Sequence, residues 1–334
     1  MRKKLLFIVG LATSALFLWL ALRDADFAAI ASALGEARLL LALPFLVALF
    51  LFYWLKSMRW AALLSPVRPT SGAALFPIVM IGYAGTAILP MQLGEILRTY
   101  IASRRLPAPF SLVLSSIALE RLFDLFSILA FLGVVLALGH SIPPALVTAG
   151  YVIATGTALA AAFALGLTFK TQQSLALVSR LSGWLPSRVQ AFLLKQTESV
   201  AVGLSSLKEI SLLVRIAVNS LVQWSLMGAC IWLSLAALDI FLPPSAVVLV
   251  LVATIIGLSL PTSPGYVGSI QLAFVLPLAP FGVSASDAIA ASFFYHVLAY
   301  VSVLLTGLGF AHRMGLTFGE VEAEARRESA SEEA

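Results

Sequence analysis

The sequence has little charge, one cysteine and no enzyme signature motif. Only 11% of its 334 residues are charged, against about 25% in a typical soluble domain, whereas 60% are hydrophobic. A soluble protein of this size could not bury so much apolar surface, so a soluble globular fold is excluded. Cys230 is the single cysteine, which excludes an internal disulfide and argues against a cysteine-based metal site.

Enzyme signatures are also missing. The chain contains no H-E-x-x-H zinc motif, no Walker A loop and no G-x-S-x-G nucleophile elbow. The histidines His140, His296 and His312 are scattered along the chain. We therefore predict no catalytic residue, no metal and no cofactor.

Long apolar runs dominate the sequence. Stretches without Asp, Glu, Lys or Arg cover 5–22, 39–55, 69–94, 125–169, 216–238, 240–286 and 288–311. A helix needs about 20 apolar residues to cross a membrane, and β-barrel strands would alternate polar and apolar residues instead. The pattern predicts an all-α polytopic membrane protein. Its full transmembrane helices, about six, are expected at 5–22, 39–58, 110–138, 144–169, 211–238 and 286–310.

Two further apolar segments, 73–102 and 243–283, are interrupted by proline and glycine. Each contains the pattern LPxxxG, at 89–94 and at 260–265. They are either re-entrant hairpins or pairs of thin full crossings. Each lies between two predicted helices. The helix at 39–58 is predicted to run inward and the helix at 211–238 to run outward, so we predict an inverted repeat with halves at about 39–138 and 211–310. Interrupted segments at matching positions indicate a transporter site near the membrane midplane.

The distribution of Lys and Arg sets the predicted topology. The positive-inside rule is satisfied when both termini are cytoplasmic. We predict a bacterial-type inner-membrane protein whose first helix is not cleaved. The membrane domain is then 1–313, and 314–334 is an acidic, disordered tail. Apolar positions at helical spacing between basic residues predict one or two amphipathic helices over 172–208 on the inner surface.

Charged residues at membrane depth mark the candidate site. Glu95 and Arg98 lie one helical turn apart, directly after the first interruption. Glu120, Arg121 and Asp124 lie about ten residues into an apolar helix, where ionisable groups are costly and usually functional. We expect the two arginines to bind phosphate or carboxylate oxygens of a lipid head group. The alternative is a structural ion-pair network, which we favour for Asp124.

Other residues are weaker candidates or have simpler explanations. Arg59 is expected to extend to the membrane interface beside Trp60. The basic residues cluster next to apolar runs, which suits a membrane surface rather than nucleic acid. The weaker site candidates are Gln92, Tyr266, Gln271 and His296.

Three stretches together resemble the lysylphosphatidylglycerol synthase transmembrane region, a flippase-like family. They are LPMQLGEILRTYIASRR at 89–105, ALERLFD at 118–124 and LPTSPGYVGSIQLAF at 260–274. The resemblance implies an inner-membrane protein that moves or accommodates polar lipids. It also implies that the family's charged positions are Glu95, Arg98, Glu120, Arg121 and Asp124. The soluble aminoacyl-transferase half of the two-domain members has no counterpart here, so lipid aminoacylation is not implied.

A lipid translocator is therefore the expected function, with membrane lipids as partners. One alternative is a membrane-embedded lipid or glycolipid transferase that uses Glu95, Glu120 or Asp124 as its base. Another is a non-catalytic membrane subunit that recruits a soluble or membrane partner through 172–208.

Overall fold

The fold is a bundle of α-helices. A computed structural model describes residues 2–65, 68–89, 93–106, 108–137, 144–204, 208–259 and 264–316. The α-helices in these ranges are α1 (Arg2–Leu22), α2 (Phe27–Gly35), α3 (Ala42–Leu64), α4 (Gly72–Ile88), α5 (Leu93–Arg105), α6 (Phe110–Ala137), α7 (Pro144–Phe169), α8 (Thr171–Leu181), α9 (Ser187–Gly203), α10 (Ile210–Ala236), α11 (Pro244–Ser259), α12 (Ser269–Leu278) and α13 (Ala285–Arg313). The described residues contain no strand, so the all-α prediction is confirmed.

Several of these helices have the length and composition of membrane spans. Within the described part of the chain, Leu39–Leu64, Gly150–Phe169, Ile210–Ala236 and Ala285–Arg313 are long and apolar enough to cross a membrane. Helix α6 has 28 residues, which is also sufficient, although three charged residues lie within it. The chain is a polytopic membrane protein, and six full crossings remain a prediction.

Each interrupted segment forms a pair of packed helices. In the first pair, Gly94 of α5 lies against Thr86 and the Gly82 carbonyl of α4, and the Arg98 side chain also lies beside Gly82. These contacts make α4 and α5 antiparallel. A side chain at Gly94 would overlap the α4 backbone, so glycine is required there for the helices to approach. In the second pair, Gly257 of α11 faces Ser269 of α12.

The two halves of the chain have the same order of elements. Helix α3, the pair α4–α5 and helix α6 are followed later by α10, the pair α11–α12 and α13. The leading helices α3 and α10 pack extensively on each other, and α13 packs on α4 in the other half. Gly307 allows this last contact, because it lies directly against Met80 and Ala84. The inverted relation between the halves remains a prediction.

Aromatic side chains of α3 fill the core between the halves. Phe45 and Phe52 meet Tyr295 of α13 and Trp224 of α10 edge to face, with ring centroids 5.7 and 5.8 Å apart. Edge-to-face contacts add to the packing energy of buried rings. These contacts fix α3, one of the three helices that form the candidate site, against α10 and α13.

The 172–208 segment contains the two helices α8 and α9. Val200 and Leu204 pack against α6, whereas Trp184, between the helices, is 82% exposed and Phe192 is 47% exposed. One side of this segment is therefore buried and the other is apolar and open. Of the predicted acidic tail, residues 317–334 lie outside the described residues.

Candidate functional site

Seven charged side chains from three helices meet inside the bundle. Most of them are buried, with relative exposures from 0 to 3% for Lys56, Arg59, Arg98, Glu120 and Asp124. Helix α3 contributes a lysine and an arginine, α5 a glutamate and an arginine, and α6 two carboxylates and an arginine. This charge cluster consists of Lys56, Arg59, Glu95, Arg98, Glu120, Arg121 and Asp124.

Glu120 is the most buried member of the charge cluster. Its Oε1 lies 3.1 Å from Lys56 Nζ, 3.3 Å from Arg98 Nη2 and 3.8 Å from Arg59 Nη2. One carboxylate thus offsets the desolvation of cations from both α3 and α5. Breaking such a buried arrangement by removing one partner is strongly destabilising.

Asp124 links three helices. Arg59 Nη2 is 2.7 Å from its Oδ1, and Lys56 Nζ is 3.3 Å from its Oδ2. The indole N–H of Trp224, on α10, donates a hydrogen bond of 3.0 Å to Oδ1. Arg121 is farther away, at 3.8 Å. Asp124 therefore belongs to a structural network, but its main partner is Arg59 rather than the expected Arg121.

The ion pair between Arg121 and Glu95 forms the accessible edge of the charge cluster. It joins α5 to α6, and the two side chains are 42% and 24% exposed. The other members are almost completely enclosed. Arg121 is therefore the cluster's most accessible cation.

Aromatic faces cover the buried cations. The Arg98 guanidinium lies 4.6 Å from the ring centre of Trp60, whose N–H donates to Ser116 Oγ at 2.9 Å. Lys56 Nζ lies 5.7 Å from the ring centre of Tyr83. Cation–π contacts are strongest where water is excluded, so these rings stabilise the buried side chains of Arg98 and Lys56.

A cavity of about 410 Å³ adjoins the charge cluster. Its polar end is formed by Lys56, Tyr83, Arg121 and Asp124 from the first half of the chain. Helix α13 and the second interrupted segment contribute polar groups to another wall. The remaining surface is mainly apolar, with Phe52, Leu125, Ile128, Trp224, Met227, Leu251, Ile255, Leu258 and Val303.

The five charged residues predicted from the sequence differ in their position relative to this cavity. Arg121 and Asp124 line the cavity, whereas Glu95, Arg98 and Glu120 belong to the charge cluster and are not among its lining residues. Arg98 does not reach the cavity, and its guanidinium pairs with Glu120 in the interior of the charge cluster.

Three of the weaker candidates come together at the second interruption. Gln271 Nε2 lies 3.2 Å from His296 Nδ1, and His296 Nε2 lies 2.7 Å from the Gly265 carbonyl. Tyr266 and His296 line the cavity. Tyr266 has a φ of 57°, a left-handed backbone that non-glycine residues rarely adopt. Gln92 lies outside the described residues.

The expectation for Arg59 was wrong. Arg59 is 1% exposed and extends into the bundle, because Asp124 and the Ser220 hydroxyl, at 2.7 Å, bind its guanidinium there. Sequence reasoning also missed Lys56 as a member of the cluster. The signal was present, since these two cations lie three residues apart directly after the apolar run 39–55. Nothing in the sequence around Tyr83 and Trp224 indicated that these two residues contribute to the site.

The described residues bring no three His, Cys, Asp or Glu side chains together in a manner suited to a metal ion. Comparison with known protein families shows what the chain is similar to. The family model described as "Lysylphosphatidylglycerol synthase TM region" matches residues 7–307, which is most of the chain. No curated protein and no solved structure matches the chain.

Proposed function

The chain belongs to the lysylphosphatidylglycerol synthase TM region family, and we propose that it translocates or accommodates a polar lipid across the inner membrane. The cavity carries this proposal. It combines a charged end with apolar walls inside a polytopic membrane protein. That combination suits an amphiphile whose head group leaves water while its tails stay in an apolar environment.

The size of the cavity favours a head group over a whole lipid. Its volume of about 410 Å³ is at the lower end of ligand pockets, which span about 300–1,000 Å³. We propose that Arg121 and Lys56 bind the head group, because both line the cavity. Arg59 and Arg98 are positioning residues that hold Asp124 and Glu120 in place.

The order of elements supports a transport cycle. The cavity is lined by both halves of the chain, and each half contains an interrupted helix pair. In transporters built from inverted repeats, one repeat moves against the other around a site at their interface. We propose the same motion here, with both termini cytoplasmic and the open face of α8–α9 on the inner membrane surface.

A lipid transferase has less support. Of its three candidate bases, Glu120 and Asp124 are each held by at least two cations and Glu95 is held by Arg121, and a carboxylate in such contacts is a poor proton acceptor. A transferase would produce a new lipid species, which mass spectrometry of lipids after incubation with the purified protein would detect.

A leaflet-exchange assay tests the proposal. The purified protein is reconstituted into liposomes with a fluorescent anionic phospholipid, and dithionite quenching reports exchange between leaflets. We expect exchange with the wild type and a loss of about tenfold or more in Arg121→Gln, because a bidentate cationic donor is removed.

The matched control is Arg38→Gln. Arg38 pairs with Asp239, and both side chains are more than half exposed. This variant should exchange lipid at the wild-type rate. Equal rates in Arg121→Gln and the wild type would refute the proposed site, and absence of exchange in the wild type would refute translocation.

A further inference from the structure

We propose that the cavity selects lipid head groups that carry a single net negative charge, whatever their other chemical groups. This inference rests on the proposed function, because it assigns the substrate class of the same site. It follows from the charges that surround the cavity and from one buried hydroxyl group on its wall.

The charge cluster contains one more cation than anion. Its four cations are Lys56, Arg59, Arg98 and Arg121, and its three carboxylates are Glu95, Glu120 and Asp124. The other described residues that line the cavity add no Asp, Glu, Lys or Arg. The cluster therefore has a surplus of one positive charge.

His296 does not add to that surplus. The Gly268 N–H donates to Gln271 Oε1 at 2.7 Å, so the Gln271 amide group is the donor that faces His296 Nδ1. Nδ1 must then accept, and Nε2–H donates to the Gly265 carbonyl. This arrangement needs a neutral imidazole, because a doubly protonated ring has no acceptor.

The surplus matters because five of the seven members of the charge cluster are buried. A charge that is not balanced interacts far more strongly in a protein interior than in water, and burying it is costly unless it is paired. A bound monoanion leaves the site neutral. A zwitterionic head group leaves one positive charge uncompensated, and a dianion introduces one negative charge.

Two cations of the charge cluster lie at the surface of the cavity, where a ligand can contact them. Arg121 and Lys56 both line the cavity, and Arg121 is the most accessible cation of the cluster. A guanidinium has five N–H donors, so Arg121 can bind Glu95 on one side and still donate to a phosphodiester on another.

A buried hydroxyl group on the cavity wall is available to a bound head group. Thr254 of α11 lines the cavity and is 3% exposed, and within the described residues its Oγ1 has no hydrogen-bond partner. Buried polar groups in proteins are usually hydrogen-bonded. Thr157 of α7 also has no hydrogen-bond partner among the described residues, but it does not line the cavity. Other helical threonines donate to the carbonyl four residues earlier, namely Thr86, Thr99, Thr168, Thr171, Thr197 and Thr306. Thr254 is thus free to bond a head-group oxygen.

Lipids of three charge classes test the inference. Phosphatidylserine and phosphatidylglycerol are monoanions with different head groups, phosphatidylethanolamine is zwitterionic, and phosphatidic acid carries about −1.5 to −2 charges as a phosphomonoester. Lipid retention by the purified protein is measured by native mass spectrometry, and exchange is measured in liposomes. We expect both monoanions to bind similarly, and about tenfold or more tightly than the other two classes.

The Arg121–Glu95 pair permits a charge-switch experiment, because its partial exposure allows substitution with little loss of packing. Arg121→Gln removes the surplus and should shift the preference to phosphatidylethanolamine. Glu95→Gln raises the surplus to two and should shift it toward phosphatidic acid. The double variant has the original surplus of one, so it should recover the monoanion preference at lower affinity. Thr254→Val should weaken monoanion binding about two- to tenfold without changing the order of preference.

The two readouts separate the inference from the proposed function. Equal retention of all charge classes, or the same preference in all charge variants, would overturn the selectivity even if exchange occurs. Selective retention of monoanions without exchange would refute translocation and support the selectivity. Binding of water-soluble glycerophosphoglycerol as tight as that of phosphatidylglycerol would overturn the assignment to a lipid.

Discussion

The two interrupted helix pairs line one cavity but are held in place by different chemistry. The α4–α5 pair is fixed by close glycine contacts, by ion pairs to α6 and by the contact of Arg98 with Trp60 of α3. The α11–α12 pair is fixed to α13 by hydrogen bonds among Gly265, Gly268, Gln271 and His296, none of which needs an ionised group. The comparison indicates that charge is concentrated on the side of the cavity where we propose that the head group binds.

The largest expected effect on stability comes from removing the buried carboxylate of Glu120. Glu120→Ala leaves Lys56 and Arg98 without their shared carboxylate, and removing one partner of a buried ion pair costs about 3–5 kcal/mol. We therefore expect a large loss in the free energy of unfolding, measured by denaturation in detergent. Glu95→Ala is the control, since the Glu95 side chain is 24% exposed and its loss should cost much less. Equal losses in both variants would contradict the role of Glu120.

Glycine substitutions compare the two pairs directly. A methyl group at Gly94 would overlap the Gly82 carbonyl and Thr86, whereas at Gly257 it would meet the Ser269 carbonyl oxygen at 3.4 Å, an ordinary contact. Gly94→Ala should therefore destabilise the protein by about 1–3 kcal/mol through overpacking, and Gly257→Ala should have little effect. Thermal unfolding of both variants measures this. A reversed order would show that the first pair is not the more tightly packed one.

Loss of the hydrogen bonds that His296 makes at the second interruption should lower stability least among these three predictions. His296→Leu removes its hydrogen bonds to Gln271 and to the Gly265 carbonyl, each with a net contribution of about 1 kcal/mol. We expect a modest loss of stability and increased amide hydrogen exchange around Gly265 and Gly268. Unchanged exchange would indicate that the network does not fix the second interruption.

Sequence reasoning recovered the helical class, the interrupted segments and the charged residues of α5 and α6. These features follow from local patterns: long apolar runs, proline and glycine within them, and charges at helical spacing. The α3 contribution was missed because a cation near the end of an apolar helix is usually explained by the interface. Only the tertiary contact with Asp124 shows that Arg59 extends inward.

The cavity itself could not be predicted from the sequence. Tyr83, Trp224 and Thr254 come from three helices that are distant in the chain, and no local pattern distinguishes them from ordinary core residues. Arg98 and Arg121 looked equivalent in the sequence. Packing separates them, because Trp60 covers Arg98 whereas Arg121 remains accessible.

An experimental density map of the wild-type protein in nanodiscs that contain anionic phospholipid tests the central claim most directly. We predict head-group density in the cavity between the two helix pairs, with oxygens within roughly 3 Å of the Arg121 guanidinium and near the Lys56 ammonium. A cavity without lipid density, with lipid bound only on the outer surface of the bundle, would contradict the proposal.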